Sequence, residues 1–89
     1  MNPTRRADIL VRPLGEGLVL YDPLSMTTHT LNQTAGFIWA QCDGKTSTPS
    51  IAAALTRTFD VDAGAAAADV EEVIRQLAEL GLLVVEGTA

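Results

Sequence analysis

Cys42 and His29 are the only cysteine and the only histidine in the 89-residue chain, so a thiol nucleophile with an imidazole base would have to be built from these two. Cys42 closes the apolar run Ala35, Phe37, Ile38, Trp39 and Ala40, where a thiol is packing material rather than a nucleophile. His29 stands among threonines in a β-type run and reads as a surface strand residue. One cysteine and one histidine supply neither a disulfide nor a metal-ligand cluster. Gly15 and Gly17 precede a strand, whereas a phosphate loop lies between a strand and a helix. Asp69, Glu71 and Glu72 suit the positive end of a helix dipole, and Trp39 inside an apolar helix reads as core. No catalytic residue, metal or cofactor is expected.

Charge narrows the remaining functions. Eleven acidic against six basic residues give a net charge of −5. Phosphates would be repelled, which argues against nucleic acid and against an anionic membrane surface. No apolar run approaches the roughly 18–20 residues of a membrane-spanning helix. Arg5-Arg6 are followed by Ala7-Asp8 rather than by an apolar segment, so no export signal is read there, and a cytoplasmic location is expected.

The chain must place any binding surface with few elements. Three short antiparallel strands are read at 8–12, 17–22 and 26–31, the first halted by Pro13 and the second by Asp22-Pro23. Asn32 is a strong N-cap for a largely buried helix from Gln33 to Gln41, stopped at Asp43-Gly44. Thr48 as N-cap and Pro49 at the first helical position open a second helix, whose Ile51, Leu55 and Phe59 recur every four residues. In the third helix Asp69 and Glu72 have capping-box spacing, and the run Ala65–Ala68 can already belong to it. Val70, Val73, Leu77 and Leu80 share one face, and Gly81 stops the helix before an extended Leu82–Val85. The organisation read is a flexible N-terminus over 1–7, a single domain over 8–85 and a C-terminal tail over 86–89.

A three-stranded antiparallel N-terminal sheet followed by three helices is an α+β domain, winged helix-turn-helix-like in outline. DNA is the familiar ligand of such a fold. Here the third helix carries Asp69, Glu71, Glu72 and Glu79 against Arg75 alone, the wrong sign for a recognition helix.

What remains is a surface. Met26, Thr27, Thr28, His29 and Thr30 form a strand without charge or proline; at a sheet edge its unpaired backbone groups would template another strand. Ile74 and Ala78, flanked by Glu71 and Arg75, make a second apolar line on the third helix. They either wall a groove suited to an extended peptide or widen the core face, and periodicity alone leaves both open.

The order of several pieces then resembles the PqqD-like family of peptide-recognition modules. They are Leu20-Tyr21-Asp22-Pro23, Leu31-Asn32-Gln33-Thr34-Ala35, Ile38-Trp39, Asp43-Gly44, Asp69-Val70 and Leu77-Ala78-Glu79-Leu80-Gly81-Leu82-Leu83. The resemblance implies a non-catalytic domain that binds the leader of a ribosomally made precursor peptide by strand addition. It would present that peptide to a modifying enzyme, such as a radical SAM protein or a leader peptidase. The binding residues so implied are Met26, Thr27, Thr28, His29, Thr30, Val70, Ile74, Arg75 and Ala78. An acidic winged-helix regulator, or an adaptor without peptide cargo, are the rival readings. An open strand edge would also permit a homodimer.

Overall fold

The computed structural model describes residues 2–85, and the expected tail 86–89 lies outside them. Eight elements follow in order: β1 (Pro3–Arg5), β2 (Leu10–Leu14), β3 (Gly17–Asp22), β4 (Thr27–Leu31), α1 (Gln33–Gln41), α2 (Thr48–Thr58), α3 (Ala63–Glu79) and β5 (Leu83–Val85). The expected three-stranded antiparallel sheet is present, in the order β2-β3-β4, and three helices follow it. Leu20 sits at the centre of that sheet, opposite both Val11 and His29, and is fully buried. Its face therefore packs inward, onto α1, and the alternate positions face out.

Pro13 does not halt β2, which runs on to Leu14. At a sheet edge a proline survives where its missing N–H would have pointed away from the neighbour. Gly17, just after the tight turn, is required for packing: a Cβ there would run into the Leu31 backbone oxygen.

The core is formed by Ile9, Leu20, Leu31, Ile38, Trp39, Cys42, Ile51, Leu55, Ala66, Val70, Ile74, Leu77, Leu82 and Leu83. Asn32 caps α1 as expected, its Oδ1 accepting from the Ala35 N–H at 2.8 Å. In α2 the cap is Ser47, one residue before the expected Thr48, and Pro49 follows at the second helical position. The larger difference is in α3. Asp62 caps it, accepting from Ala65 N–H at 2.7 Å, so Asp69 is seven residues inside the helix rather than at its start. Asp62 is as good a cap as Asp69, and the alanines between them carry the strongest helix propensity.

The N-terminal segment expected to be flexible is instead a strand. β1 pairs antiparallel with β5, and Pro3 is buried. Arg5 anchors it: its N–H donates to the Cys42 carbonyl at 2.9 Å and its guanidinium to the Ala40 carbonyl at 2.6 Å. A cation placed on the last carbonyls of α1 also meets the negative end of the helix dipole.

Candidate functional site

Among the described residues β4 is an edge strand, bonded to β3 on one side only. Register divides its side chains between two faces. His29 lies opposite the buried Leu20, so Thr27, His29 and Leu31 share the helix-facing side of the sheet. Thr28 and Thr30, opposite Tyr21 and Val19, share the outer side. Hydroxyls and the imidazole run along the helix-facing row: Ser25 Oγ lies 2.6 Å from Thr27 Oγ1, which lies 3.0 Å from His29 Nε2. No charged side chain interrupts β4, so nothing blunts its open backbone groups.

The start of β4 is held by a polar knot. Asp22, with its side chain 4% exposed, takes both ends of the Arg6 guanidinium, at 2.8 and 3.1 Å. Its Oδ1 also accepts from Leu24 N–H, and its main-chain oxygen from Met26 N–H. Hydrogen bonds from Arg6, ahead of that Leu24 amide, hold the Asp22 carboxyl down at about 2. Arg6 further donates to the Gly81 carbonyl at 3.0 Å, which ties the C-terminal end of α3 to the turn before β4. In that turn Met26 adopts φ 60°, the one left-handed non-glycine among the described residues. Leu24 and Met26 are 79% and 76% exposed, and Leu80 beside Gly81 is 49% exposed.

At the far end of β4 a cleft of about 290 Å³ opens between the start of α1 and the middle of α3. Asn32, Thr34 and Ala35 line one side; Asp69, Glu72, Val73 and Gln76 line the other. Glu72 accepts from the Arg75 guanidinium and, at 3.0 Å, from the Gln76 amide. Its carboxyl is lowered chiefly by the hydrogen bond from Arg75. Arg75 also bonds Glu79 at 2.8 Å. Asp69, by contrast, forms no ion pair among the described residues.

These positions revise the groove read from the sequence. Val70 is fully buried and Ile74 is 7% exposed, both in the domain's own core. Ile74 thus widens the core face and walls no open groove. At 3.6 residues per turn, Ala78 sits about 180° around the helix from Asp69, and Arg75 lies on the exposed side. The helix positions lining the cleft are Asp69, Glu72, Val73 and Gln76, none of which the sequence reading selected for binding. Their signal was present: Asp69, Val73, Gln76 and Leu80 recur at i, i+4, i+7 and i+11, beside the buried stripe Ala66, Val70, Ile74 and Leu77.

The reactive groups do not assemble. Cys42 is fully buried, donates to the Ile38 carbonyl at 3.1 Å, and has its thiol pushed up to about 12 by burial. Among the described residues no group of three histidine, cysteine or carboxylate side chains could hold a metal ion. No described helix is long and apolar enough to cross a membrane. The exposed carboxylates of α3, with Arg75 committed to two of them, present the wrong sign to a phosphate backbone.

The family model for coenzyme PQQ synthesis protein D (PqqD) matches residues 17–83, from β3 into β5. The chain belongs to the PqqD family. Two solved structures share the fold of this PqqD-family domain over nearly its whole length. One is lasso peptide synthetase B1 complexed with the leader peptide, 27% identical, with a TM-score of 0.82, covering 96% of this chain and 100% of that one. The other is TbiB1 in complex with the TbiA(beta) leader peptide, 22% identical, with a TM-score of 0.80, covering 97% and 98%. No curated protein matches the chain in sequence.

Proposed function

We propose that this PqqD-family domain is a non-catalytic carrier that binds the leader segment of a ribosomally made precursor peptide and presents it to a modifying enzyme. The observation that carries the reading is β4: an uncharged, proline-free strand at a sheet edge, with an open cleft at its end. An extended peptide added there would satisfy the free backbone groups of Thr27–Leu31 and lay alternate side chains toward α3. That both similar solved structures are leader-peptide complexes supports the same reading.

The receiving enzyme, a radical SAM protein or a leader peptidase in the reading above, has room to approach. The outer sheet face, where Leu10 and Leu14 are each 56% exposed, stays open while the edge is occupied. An edge open to a peptide is open to a second copy as well, so homodimer pairing would compete with cargo. We place the encounter in the cytoplasm, where precursor peptides are synthesised.

Backbone N-methylation of the ligand tests strand addition without altering the protein. The probe is a synthetic leader peptide first shown to bind the domain. Methylating successive residues should weaken binding at alternate positions, because only every second N–H faces the neighbouring strand. Binding that tolerates methylation at every position would refute the reading.

A further inference from the structure

Among the described residues the two edges of the β2-β3-β4 sheet are built in opposite ways. β4 offers open backbone groups, whereas β2 carries Pro13, which has no N–H to give an added strand. What β2 offers is side chains. All of its residues are exposed, Leu10 and Leu14 the most among its apolar ones. Register sets Leu10 and Arg12 opposite Tyr21 and Val19, with Leu14 beside them opposite Gly17. These side chains share the outer face of the sheet with Thr28 and Thr30, turned away from Leu20 and α1.

The chain has eleven acidic residues, yet no strand position on this face holds one. Asp22 is two residues from Leu20, on the helix side, and buried. Glu16, in the turn between β2 and β3, lines a cleft with Leu18, Gly36 and Phe37, also on the helix side. Asp8, ahead of β2, is bonded through both oxygens to Arg6. Arg12 is the single charge on the outer strand positions, and among the described residues it forms no ion pair.

A second copy does not supply what Arg12 lacks. Two copies stacked face to face would bury Arg12 against apolar side chains and hydroxyls, with no carboxylate on either face to offset its desolvation. The face is also small. Three strands about 4.8 Å apart and five residues long, at about 3.3 Å each, span roughly 240 Å², against about 800 Å² per partner in a standard stable interface. Both facts favour a short-lived contact with a different protein.

Resting on the carrier function proposed above, we infer that the outer face of this sheet docks the receiving enzyme, through a small apolar patch that carries a carboxylate for Arg12. The carboxylate pairs with the guanidinium, and the apolar side chains around it cover Leu10, Leu14 and Tyr21. β2 and β4 lie about 10 Å apart across β3, so the enzyme sits beside the bound peptide without touching the edge that holds it.

The test uses a radical SAM enzyme or leader peptidase first shown to process a leader-bearing peptide faster with this domain than without it. Arg12→Glu and Arg12→Lys change an exposed position, so both variants should fold. Both should bind the leader peptide as wild type does, by fluorescence anisotropy. Arg12→Glu should raise the domain concentration that gives half-maximal acceleration by about three- to fivefold, the range of an exposed ion pair. Arg12→Lys, which keeps the charge, should stay near wild type. Equal acceleration by Arg12→Glu and wild type would overturn the inference and leave the carrier function standing. Weaker leader binding by Arg12→Glu would overturn it as well, since the face would then belong to the cargo. Acceleration that persists on a substrate without its leader would overturn the carrier function itself.

Discussion

Replacing Met26 by glycine should make the protein more stable and a worse peptide binder. The left-handed backbone at φ 60° costs a non-glycine residue about 1–2 kcal/mol, which glycine does not incur. Against this, glycine adds roughly 0.5–1 kcal/mol of chain entropy to be lost on folding. The side chain is 76% exposed, so its removal forfeits little packing. The net gain lies between about 0 and 1.5 kcal/mol, centred on about 0.75, a rise in Tm of roughly 3–6 °C at that centre for a domain of this size. Binding should move the other way. If a ligand covers about 50–100 Å² of the Met26 side chain, its loss costs about 1–2 kcal/mol, or roughly five- to thirtyfold in Kd. Met26→Ala separates the two effects, since it keeps the strained backbone and removes the side chain. It should match wild type in Tm and Met26→Gly in affinity. Thermal denaturation by circular dichroism and fluorescence anisotropy with a labelled leader peptide read the two quantities. A lower Tm for Met26→Gly, or unchanged affinity in both variants, would refute the reasoning.

Three further outcomes follow from the fold. The Asp22 carboxyl sits at about 2 when folded against an ordinary 3.8, so its stabilisation is complete above about pH 4 and fades as pH falls toward 2. Urea denaturation across pH 2–5 should show that slope in wild type and a shallower one in Asp22→Asn; equal slopes would remove the Arg6–Asp22 pair from the account. Gly17→Ala should destabilise by about 1–3 kcal/mol, because its methyl would force β3 away from the Leu31 carbonyl; a neutral result in chemical denaturation would contradict the packing described. Cys42, with its thiol raised from 9.0 to about 12, should resist a disulfide reagent at pH 8 in the folded protein and react only on unfolding. The same raised value makes its contribution fall as pH rises above about 9, and rapid labelling of native protein would show the thiol to be accessible.

Much of this was legible because local rules acted alone. Asn32 before an apolar run announced α1, and Thr27–Leu31 had the composition of a strand whatever its neighbours. The edge position of β4 was not legible, since strand order depends on which faces the helices cover. β1 escaped for another reason: three residues are too few for a period, and Pro3–Arg5 is ordered by partners about eighty residues away. The α3 positions expected to bind and those that line the cleft differ by angle. Val70 and Ile74 differ from Asp69 and Val73 by one position, or about 100° of rotation, which moves a side chain from open cleft to core. Helical periodicity identifies a stripe but does not say which neighbour covers it.

Strand addition at β4 is tested most directly by amide hydrogen exchange, residue by residue, with and without a bound leader peptide. The account predicts new protection at alternate amides within Thr27–Leu31, with little change in β2, whose edge the peptide leaves free. Protection on α2, on β2 or nowhere, with the peptide demonstrably bound, would contradict it.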